Sequence, residues 1–477
     1  MNLDKTIFRE YDIRGTVDKN FTEEVLSLIG KAYALMLKDK TGKPFENLQI
    51  TIAYDARTHS PRLTRAITDS ILSSGISVIE LGMTTTPALY FSLFNLDVDG
   101  GIMITGSHNP PEYNGLKVCI GKETIYGEEI QKLREIAEDI LTGRTTPPEG
   151  ASGKRSSYDI LKDYKAYMIE QFKSIQPCKV KVVIDSGNGC AGLVVPDILR
   201  GIGCSFIELF SKPDGRFPNH HPDPTIPKNL KDLIEKVREA KADVGIAYDG
   251  DADRIGVVDE KGEIIWGDKL TTLFARGILE EHPGATIIGE VKCSQTMYED
   301  IKKHGGRAIM WKTGHSLLKK KMKVEHALLA GEMSGHIFFA DRYFGYDDAV
   351  YASLRLIEIL NKKKPATLSE ILSDIPKLVS TPEIRLPWDE KDKFNVIERL
   401  KTRVEKDEKL QDKIKETVTV DGIRVIFTDG WGLVRASNTQ PVLVLRFEAS
   451  TEKQLEFIKE NFMRLLETER KNHGNVS

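Results

Sequence analysis

Four short polar runs in this sequence carry residue types that could do chemistry together. DGDADR sets carboxylates at Asp249, Asp251 and Asp253. In an extended loop, alternate residues project to one side, where three carboxylates can share a hard cation. Mg2+ suits the run better than Ca2+, because it takes few protein ligands and leaves positions for phosphate oxygen. An EF-hand loop competes, since Glu260 stands at its twelfth position, but Arg254 fills the sixth, where the sharp turn wants Gly, and the flanks GIAY and IGVV read as strands. A purely structural acidic turn is the plainer alternative.

TGSHNP (Thr105 to Pro110) sets Ser107 between Gly106 and His108, a hydroxyl that could act as a nucleophile with His108 as its base. The same composition also makes an ordinary turn. No GxSxG surrounds Ser107, which argues against an esterase or lipase, and beside a metal-binding run phosphoryl chemistry is the better reading. RASNT offers Arg435, Ser437, Asn438 and Thr439, which with backbone N–H groups could hold a phosphate that is not reacting, or form a surface turn. In GEMSGH, Glu332 and Ser334 are two residues apart, so an extended loop would turn both toward vicinal sugar hydroxyls, while His336 reads as structural before it reads as a ligand.

Those runs need elements to position them, and an internal repeat supplies the elements. LQITIAYD, a helix from near Pro61 and GISVIELG form one copy; KVKVVIDSGNG and CSFIELF frame a second; ATIIGEVKCS and GRAIMWKTG frame a third. Strands alternating with helices imply parallel pairing through right-handed crossovers. Each copy then supplies a third apolar strand, GGIMI, DVGIAY or ALLA, leading into TGSHNP, DGDADR and GEMSGH respectively. Ligands gather outside the carboxyl ends of such strands, so three different loops at equivalent positions suggest one shared central cleft. Past Pro382, Pro387 and Trp388 the pattern changes to short strands and a final helix, a smaller α+β domain with RASNTQP between its strands. The fold class expected is α/β: three related mixed-sheet domains, 1–153, 154–259 and 260–372, and a C-terminal α+β domain, 373–477.

Composition narrows the partners. The 477 residues carry a formal charge of -3, which gives no global attraction for nucleic acid, and the basic runs Lys319 to Lys323 and Lys362 to Lys364 read as solvated helix faces. No apolar stretch is long enough to span a bilayer and the N-terminus has no signal-peptide pattern, so no membrane partner and a cytoplasmic address are expected. The five cysteines, Cys119, Cys178, Cys190, Cys204 and Cys293, show no CxxC spacing and are expected to be reduced. Gly187, Gly189 and Gly192 form GxGxxG after a strand with Glu208 about 20 residues on, the pattern of an NAD-dependent oxidoreductase. Against it, the sister strands end in YDART and VKCSQ, and a nicotinamide reading leaves the three-Asp loop, TGSHNP and RASNT without tasks.

YDIRG (Tyr11 to Gly15), TGSHNP, NGLK (Asn114 to Lys117), DGDADR, KTGHS (Lys312 to Ser316), GEMSGH and RASNTQPVLVLRFE, in this order along nearly the whole chain, resemble the α-D-phosphohexomutase family. FPNHHPDP, from Phe217, and GEMSGH resemble its bacterial phosphomannomutase/phosphoglucomutase branch; phosphoglucosamine mutases usually differ at Met333, and that activity stays an alternative. DGDADR departs from the commoner DGDGDR at Ala252, a change of little expected consequence for the metal. The resemblance implies a phosphoserine at Ser107, whose oxygen joins Asp249, Asp251 and Asp253 on Mg2+. It implies Arg254, Arg14 and Lys117 around the transferring phosphate, with Lys117 or His108 as acid or base. Tyr11, Lys292, His315, Glu332, Ser334 and His336 would meet the sugar, and Arg435, Ser437, Asn438 and Thr439 the distal phosphate. The implied reaction interconverts hexose 1- and 6-phosphates through a hexose 1,6-bisphosphate that also acts as activator, in a monomer or small homo-oligomer. A metal-dependent sugar phosphatase is the rival on the same loops, but a hydrolase has no use for a second phosphate site.

Overall fold

The structure, a computed structural model, describes residues 3–146, 152–438 and 440–473. Three times the chain runs strand, helix, strand, and then places a third strand on the far side of the first. Gln49–Tyr54 lies parallel to Ser77–Met83 on one side and Gly100–Ile104 on the other. Lys181–Asp185 is flanked the same way by Ser205–Leu209 and Val244–Tyr248, and Thr286–Glu290 by Arg307–Trp311 and Leu329–Gly331. Every residue of Gly100–Ile104 and of Val244–Tyr248 is buried. That is why both read as unbroken apolar runs and not as alternating ones.

In the first two repeats the chain then doubles back. Tyr113–Ile120 pairs antiparallel with Gly100–Ile104, and Ile255–Asp259 with Val244–Tyr248, so the sheets are mixed. TGSHNP and DGDADR are therefore the connections at the carboxyl ends of buried strands. The strand Ile13–Thr16 adds to the first sheet with Arg14 opposite Gly115. Helices cover the sheet because their ends are well set. Glu23–Thr41 starts at Thr22, whose hydroxyl accepts from Val25 N, carries Glu23 and Glu24 in its first turn, and stops at Gly42 with φ 67°. Ser60–Ser73 has proline in its first turn, where no N–H is needed.

The C-terminal region is of the other type. Ile414–Val418, Ile423–Phe427, Gly430–Ala436 and Val442–Ala449 form an antiparallel meander. Val396, Leu400, Leu445, Phe447, Ile458 and Phe462 join these strands to the helices Lys393–Lys406 and Glu452–His473 in one apolar core. By compactness the chain divides into one unit of Met1–Leu270 with Ser334–Leu372 and a second of Thr271–Met333 with Ser373–Ser477. Among the described residues no helix is long and apolar enough to cross a membrane.

The cysteines correct the sequence expectation. Cys178 and Cys204 form a disulfide with Cα atoms 5.0 Å apart, while Cys119, Cys190 and Cys293 are free and buried. The two bonded residues precede Lys181–Asp185 and Ser205–Leu209. Parallel pairing sets those strand starts side by side, which linear spacing does not reveal.

Candidate active site

In the first unit the two hairpin connections meet. Ser107 Oγ donates to Asp249 Oδ2 at 2.7 Å and lies 3.0 Å from His108 Nδ1. With the single hydroxyl proton on the aspartate, Nδ1 of His108 is the donor and its Nε2 the acceptor. Asp249, Asp251 and Asp253 each bring a carboxylate oxygen within 4.8 Å of the others, all wholly buried. They converge through a tight turn, where the sequence suggested an extended loop. Asp249 Oδ1 accepts from the backbone of Asp253 and Arg254 at 3.0 and 3.1 Å, and Ala252 takes φ 63°. Ala252 thus matters for the backbone, since a left-handed residue is where glycine is most at ease.

Lys117, reached from the strand Tyr113–Ile120, puts its ammonium 2.9 Å from Asp251 Oδ2 and also on Asp253. Burial pulls the lysine down, but Asp251 and Asp253 outweigh it and hold the ammonium well above its ordinary value. Burial likewise pushes Asp253 up, and Lys117 and His336 overcome it, leaving Asp253 well below the carboxylate range. Asp249 goes the other way, raised by burial and then by the charges of Asp253 and Asp251. His108 is held well below its usual value by burial and then by Arg254 and Arg14, so it is neutral at neutral pH. Arg14 donates to Asn109 Oδ1 at 2.7 Å and to Asp12 at 2.5 Å, and Tyr11 is half-buried in the bend before it. His336 Nε2 lies 3.3 Å from both Arg254 Nε and Asp253 Oδ1, and Ser334 Oγ is 3.5 Å from His336 Nδ1. The GEMSGH run is not extended: it turns at Met333 and Ser334, and Gly335 takes φ 90°.

The second unit gathers another group of expected residues. Buried Glu290, at a strand end, accepts from Lys292 N at 2.9 Å, Thr313 Oγ1 at 2.7 Å and Met333 N at 3.3 Å. Lys292 Nζ sits 3.3 Å from Glu383, and Glu332 Oε1 accepts from Gly314 N at 2.7 Å. His315 follows as the first residue of the helix His315–Glu325. Asp421 Oδ2 accepts from both Thr313 N at 3.1 Å and Arg435 Nε at 2.9 Å, so it joins the KTGHS and RASNT runs. Ser437 Oγ accepts from Gln440 N at 3.2 Å and Asn438 lies in the bend beside it; Thr439 falls outside the described residues.

The glycine run does not prepare a pyrophosphate site. A Cβ on Gly189 would stand 2.7 Å from Gly250 O, and one on Gly192 would overlap the carbonyl of Ser211. Those glycines let chain pass against chain, Gly189 against the metal loop itself. Likewise Glu260 closes no EF-hand: antiparallel strands flank the acidic turn, and its side chain accepts from Ser369.

Four family models match the chain in order. They are the phosphoglucomutase/phosphomannomutase alpha/beta/alpha domain I over residues 5–144, domain II over 162–262, domain III over 266–379 and the C-terminal domain over 383–465. The chain belongs to the phosphoglucomutase/phosphomannomutase family. It is similar to the phosphomannomutase/phosphoglucomutase of Pseudomonas aeruginosa, at 45% identity over 462 residues, 96% of this chain and 95% of that one. The phosphoglucomutase of Neisseria meningitidis serogroup A is 43% identical over 468 residues, 98% of each. A solved phosphoglucomutase/phosphomannomutase family protein from Burkholderia thailandensis has TM-score 0.87 and 40% identity, covering 98% of both chains. The protein is thus a phosphohexomutase, an isomerase of hexose phosphates with the four-domain α/β architecture of its family.

Beside the three carboxylates of this phosphohexomutase stand residues that sequence reasoning missed. Thr86 Oγ1 donates to Asp251 Oδ2 at 2.6 Å, and Thr105 Oγ1 lies 3.1 Å from the same oxygen and 3.0 Å from Asp55 Oδ2. Asp55 in turn accepts from Gly106 N at 2.9 Å. YDART and TTTP, at strand ends of the first repeat, are the available signals. Such ends are where a repeated α/β unit puts its polar side chains.

Proposed function

We propose that Ser107 carries the phosphoryl group, giving it to O1 or O6 of a hexose phosphate and taking the other phosphate back from the resulting 1,6-bisphosphate. The observation that carries this reading is the 2.7 Å bond between Ser107 Oγ and Asp249 within a buried set of three carboxylates. Those carboxylates fit a hard cation: the donors are all oxygen, and Asp251 Oδ1 is buried with no hydrogen-bond partner among the described residues. Asp249, Asp251 and Asp253, with the phosphoserine oxygen, would hold Mg2+, which supplies positive charge against the phosphoryl oxygens when bound.

The chain's own side chains do the rest. Arg14, Arg254 and Lys117 offset charge on the moving group, which suits a reaction that needs positioning and electrostatics more than covalent help. Lys117 keeps its proton beside two carboxylates, so it serves as a fixed cation. Neutral His108, with Nε2 as acceptor, is the better group to take the proton of the attacking sugar hydroxyl. Glu332, Ser334, His315, Lys292, His336 and Tyr11 receive the sugar, while Arg435, Ser437, Asn438 and Thr439 hold the phosphate that does not react. The substrates are soluble glucose and mannose phosphates of the cytoplasm, met by a monomer or small homo-oligomer.

The test mixes purified protein with glucose 1-phosphate or mannose 1-phosphate, Mg2+ and a trace of the 1,6-bisphosphate. The expected product is the 6-phosphate without inorganic phosphate. Release of phosphate without 6-phosphate would make the protein a phosphatase. Comparing kcat/KM for glucosamine 1-phosphate with the other two tests the sugar preference, which should fall to glucose and mannose.

A further inference from the structure

Ser107 has φ 47°, a left-handed backbone that a residue with a side chain keeps only where its surroundings impose it. The surroundings that impose it lie on the carbonyl side of the loop. Arg57, whose side chain is wholly buried, donates from Nη2 to the carbonyls of Ser107 at 3.0 Å and Asn109 at 2.5 Å. Its Nη1 donates to those of Pro110 at 2.6 Å and Tyr113 at 2.9 Å, and its Nε to Asp55 at 3.2 Å. His221 Nε2 donates to the carbonyl between these, that of His108, and His59 Nε2 donates to Pro111 O at 3.0 Å. Both imidazoles must be donors, because a carbonyl only accepts, and His59 Nδ1 correspondingly accepts from Asn114 Nδ2 at 2.9 Å. Every carbonyl from Ser107 to Pro111 is thus held by one of three side chains.

Close packing supports the grip. A Cβ on Gly106 would overlap the Arg57 guanidinium, and one on Gly215 would overlap the carbonyl of Ala56. The ring of Phe217 faces the guanidinium at 5.3 Å. Phe217 and His221 both belong to the FPNHHPDP run of the second repeat, which the proposed reaction leaves without a task.

We propose that Arg57 and the segment Phe217–Pro224 are positioning residues for the phosphoryl carrier. They pin a loop of Gly, Ser, His, Asn and Pro, otherwise free to adopt several turns, in the one conformation that aims Ser107 Oγ at Asp249. The inference rests on Ser107 being that carrier. The same oxygen must be presented both when it bears a phosphoryl group and when it does not, so the aim has to come from backbone contacts that neither state disturbs. The Arg57 and His221 bonds are of that kind, since they touch carbonyls and not the hydroxyl.

The experiment compares His221→Leu, His221→Gln and Arg57→Lys with the unaltered protein in kcat, KM for glucose 1-phosphate, thermal midpoint, and intact mass of the resting chain. A misplacement of about 1 Å costs up to about 100-fold in rate, so His221→Leu should lower kcat at least about 10-fold with KM within about twofold. Gln, whose side-chain amide can replace the Nε2 donor, should restore kcat to within about threefold. Arg57→Lys, one ammonium in place of a five-donor fork, should lower kcat further with the same split. If the lysine variant does not fold, the His221 pair decides alone. Unchanged kcat in His221→Leu, a loss that Gln does not recover, or a KM that rises in step with the loss would overturn the proposal. An unaltered chain that turns over without ever showing the mass of one added phosphoryl group on Ser107 would instead refute the carrier reading.

Discussion

Lys117→Met removes a cation and leaves the rest of the metal loop in place. The ammonium bonds Asp251 and Asp253, its side chain is 5% exposed, and both carboxylates are fully buried. Deleting one partner of a buried ion pair costs about 3–5 kcal/mol, because the surviving charge loses its counter-charge and gains no water in exchange. Methionine keeps the length and apolar volume of the stem, so the loss is electrostatic. At about 2.1 cal/mol/K of unfolding entropy per residue, a unit of roughly 300 residues loses about 1.5 °C per kcal/mol, so even the lower figure predicts a drop of about 5 °C. The assay is scanning calorimetry in a chelator, following the transition of the unit that carries the loop, then repeated with saturating Mg2+. The variant should regain more than the unaltered protein, because the divalent cation compensates the same carboxylates. The pH dependence has a definite sign. The raised lysine contributes fully below its ordinary 10.5 and is lost as pH climbs through its higher folded value; lowered Asp253 contributes above 3.8 and is lost as pH falls through its folded value. The difference between the two proteins should therefore stay level across the neutral range. A drop under about 2 °C in chelator, or an equal drop with and without Mg2+, would refute the charge argument.

Three further outcomes are expected. Ser107→Ala should lose more than about 1,000-fold in turnover while binding glucose 1-phosphate as before, measured by calorimetric titration; full activity would remove the phosphoserine from the mechanism. Thr86→Val takes a 2.6 Å donor from Asp251, and loss of such an outer partner should raise the Mg2+ concentration for half activity by about 10-fold or more. Asp348, buried and bonded by Tyr164 and Tyr343 at 2.8 and 2.7 Å, is pushed up to about 7 by that burial. Between its ordinary 3.8 and about 7 the unfolded chain releases the proton and the folded one keeps it, so Asp348 costs stability as pH rises. Asp348→Asn should accordingly gain on the unaltered protein through that window in urea melts and run level above it.

The fold was legible where burial dictates composition. Gly100–Ile104 and Val244–Tyr248 read as strands because both faces are covered, and the loops at their ends read as a site because such ends collect ligands. What stayed hidden depends on neighbours that only the folded chain provides. Cys178 and Cys204 look unrelated along the sequence, and only parallel pairing aligns the strands they precede. Thr85 caps the helix Thr86–Asn95, accepting from Ala88 N, and nothing local says that the next threonine bonds a carboxylate 165 residues away. The acidic run predicts three convergent carboxylates but not the geometry that brings them together: in place of i, i+2, i+4 spacing in an extended loop there is a turn closed by Asp249 on the backbone of Asp253 and Arg254.

That last distinction bears on how the site works. In an extended loop the three aspartates would be equivalent neighbours, whereas the turn makes them chemically unlike. Asp253 faces Lys117 and His336 and is held ionised, Asp251 is spread over Lys117, Thr86 and Thr105, and Asp249 spends one oxygen on the turn and the other on Ser107. Asp249 is raised by burial and then by the charges of Asp253 and Asp251, the opposite direction to Asp253. On the proposed mechanism Asp249, Asp251 and Asp253 would hold Mg2+, which when bound would supply positive charge against a departing serine oxygen. The turn therefore sets apart the carboxylate that handles Ser107 from the two whose charge Lys117 balances, a division of labour that spacing alone could not assign.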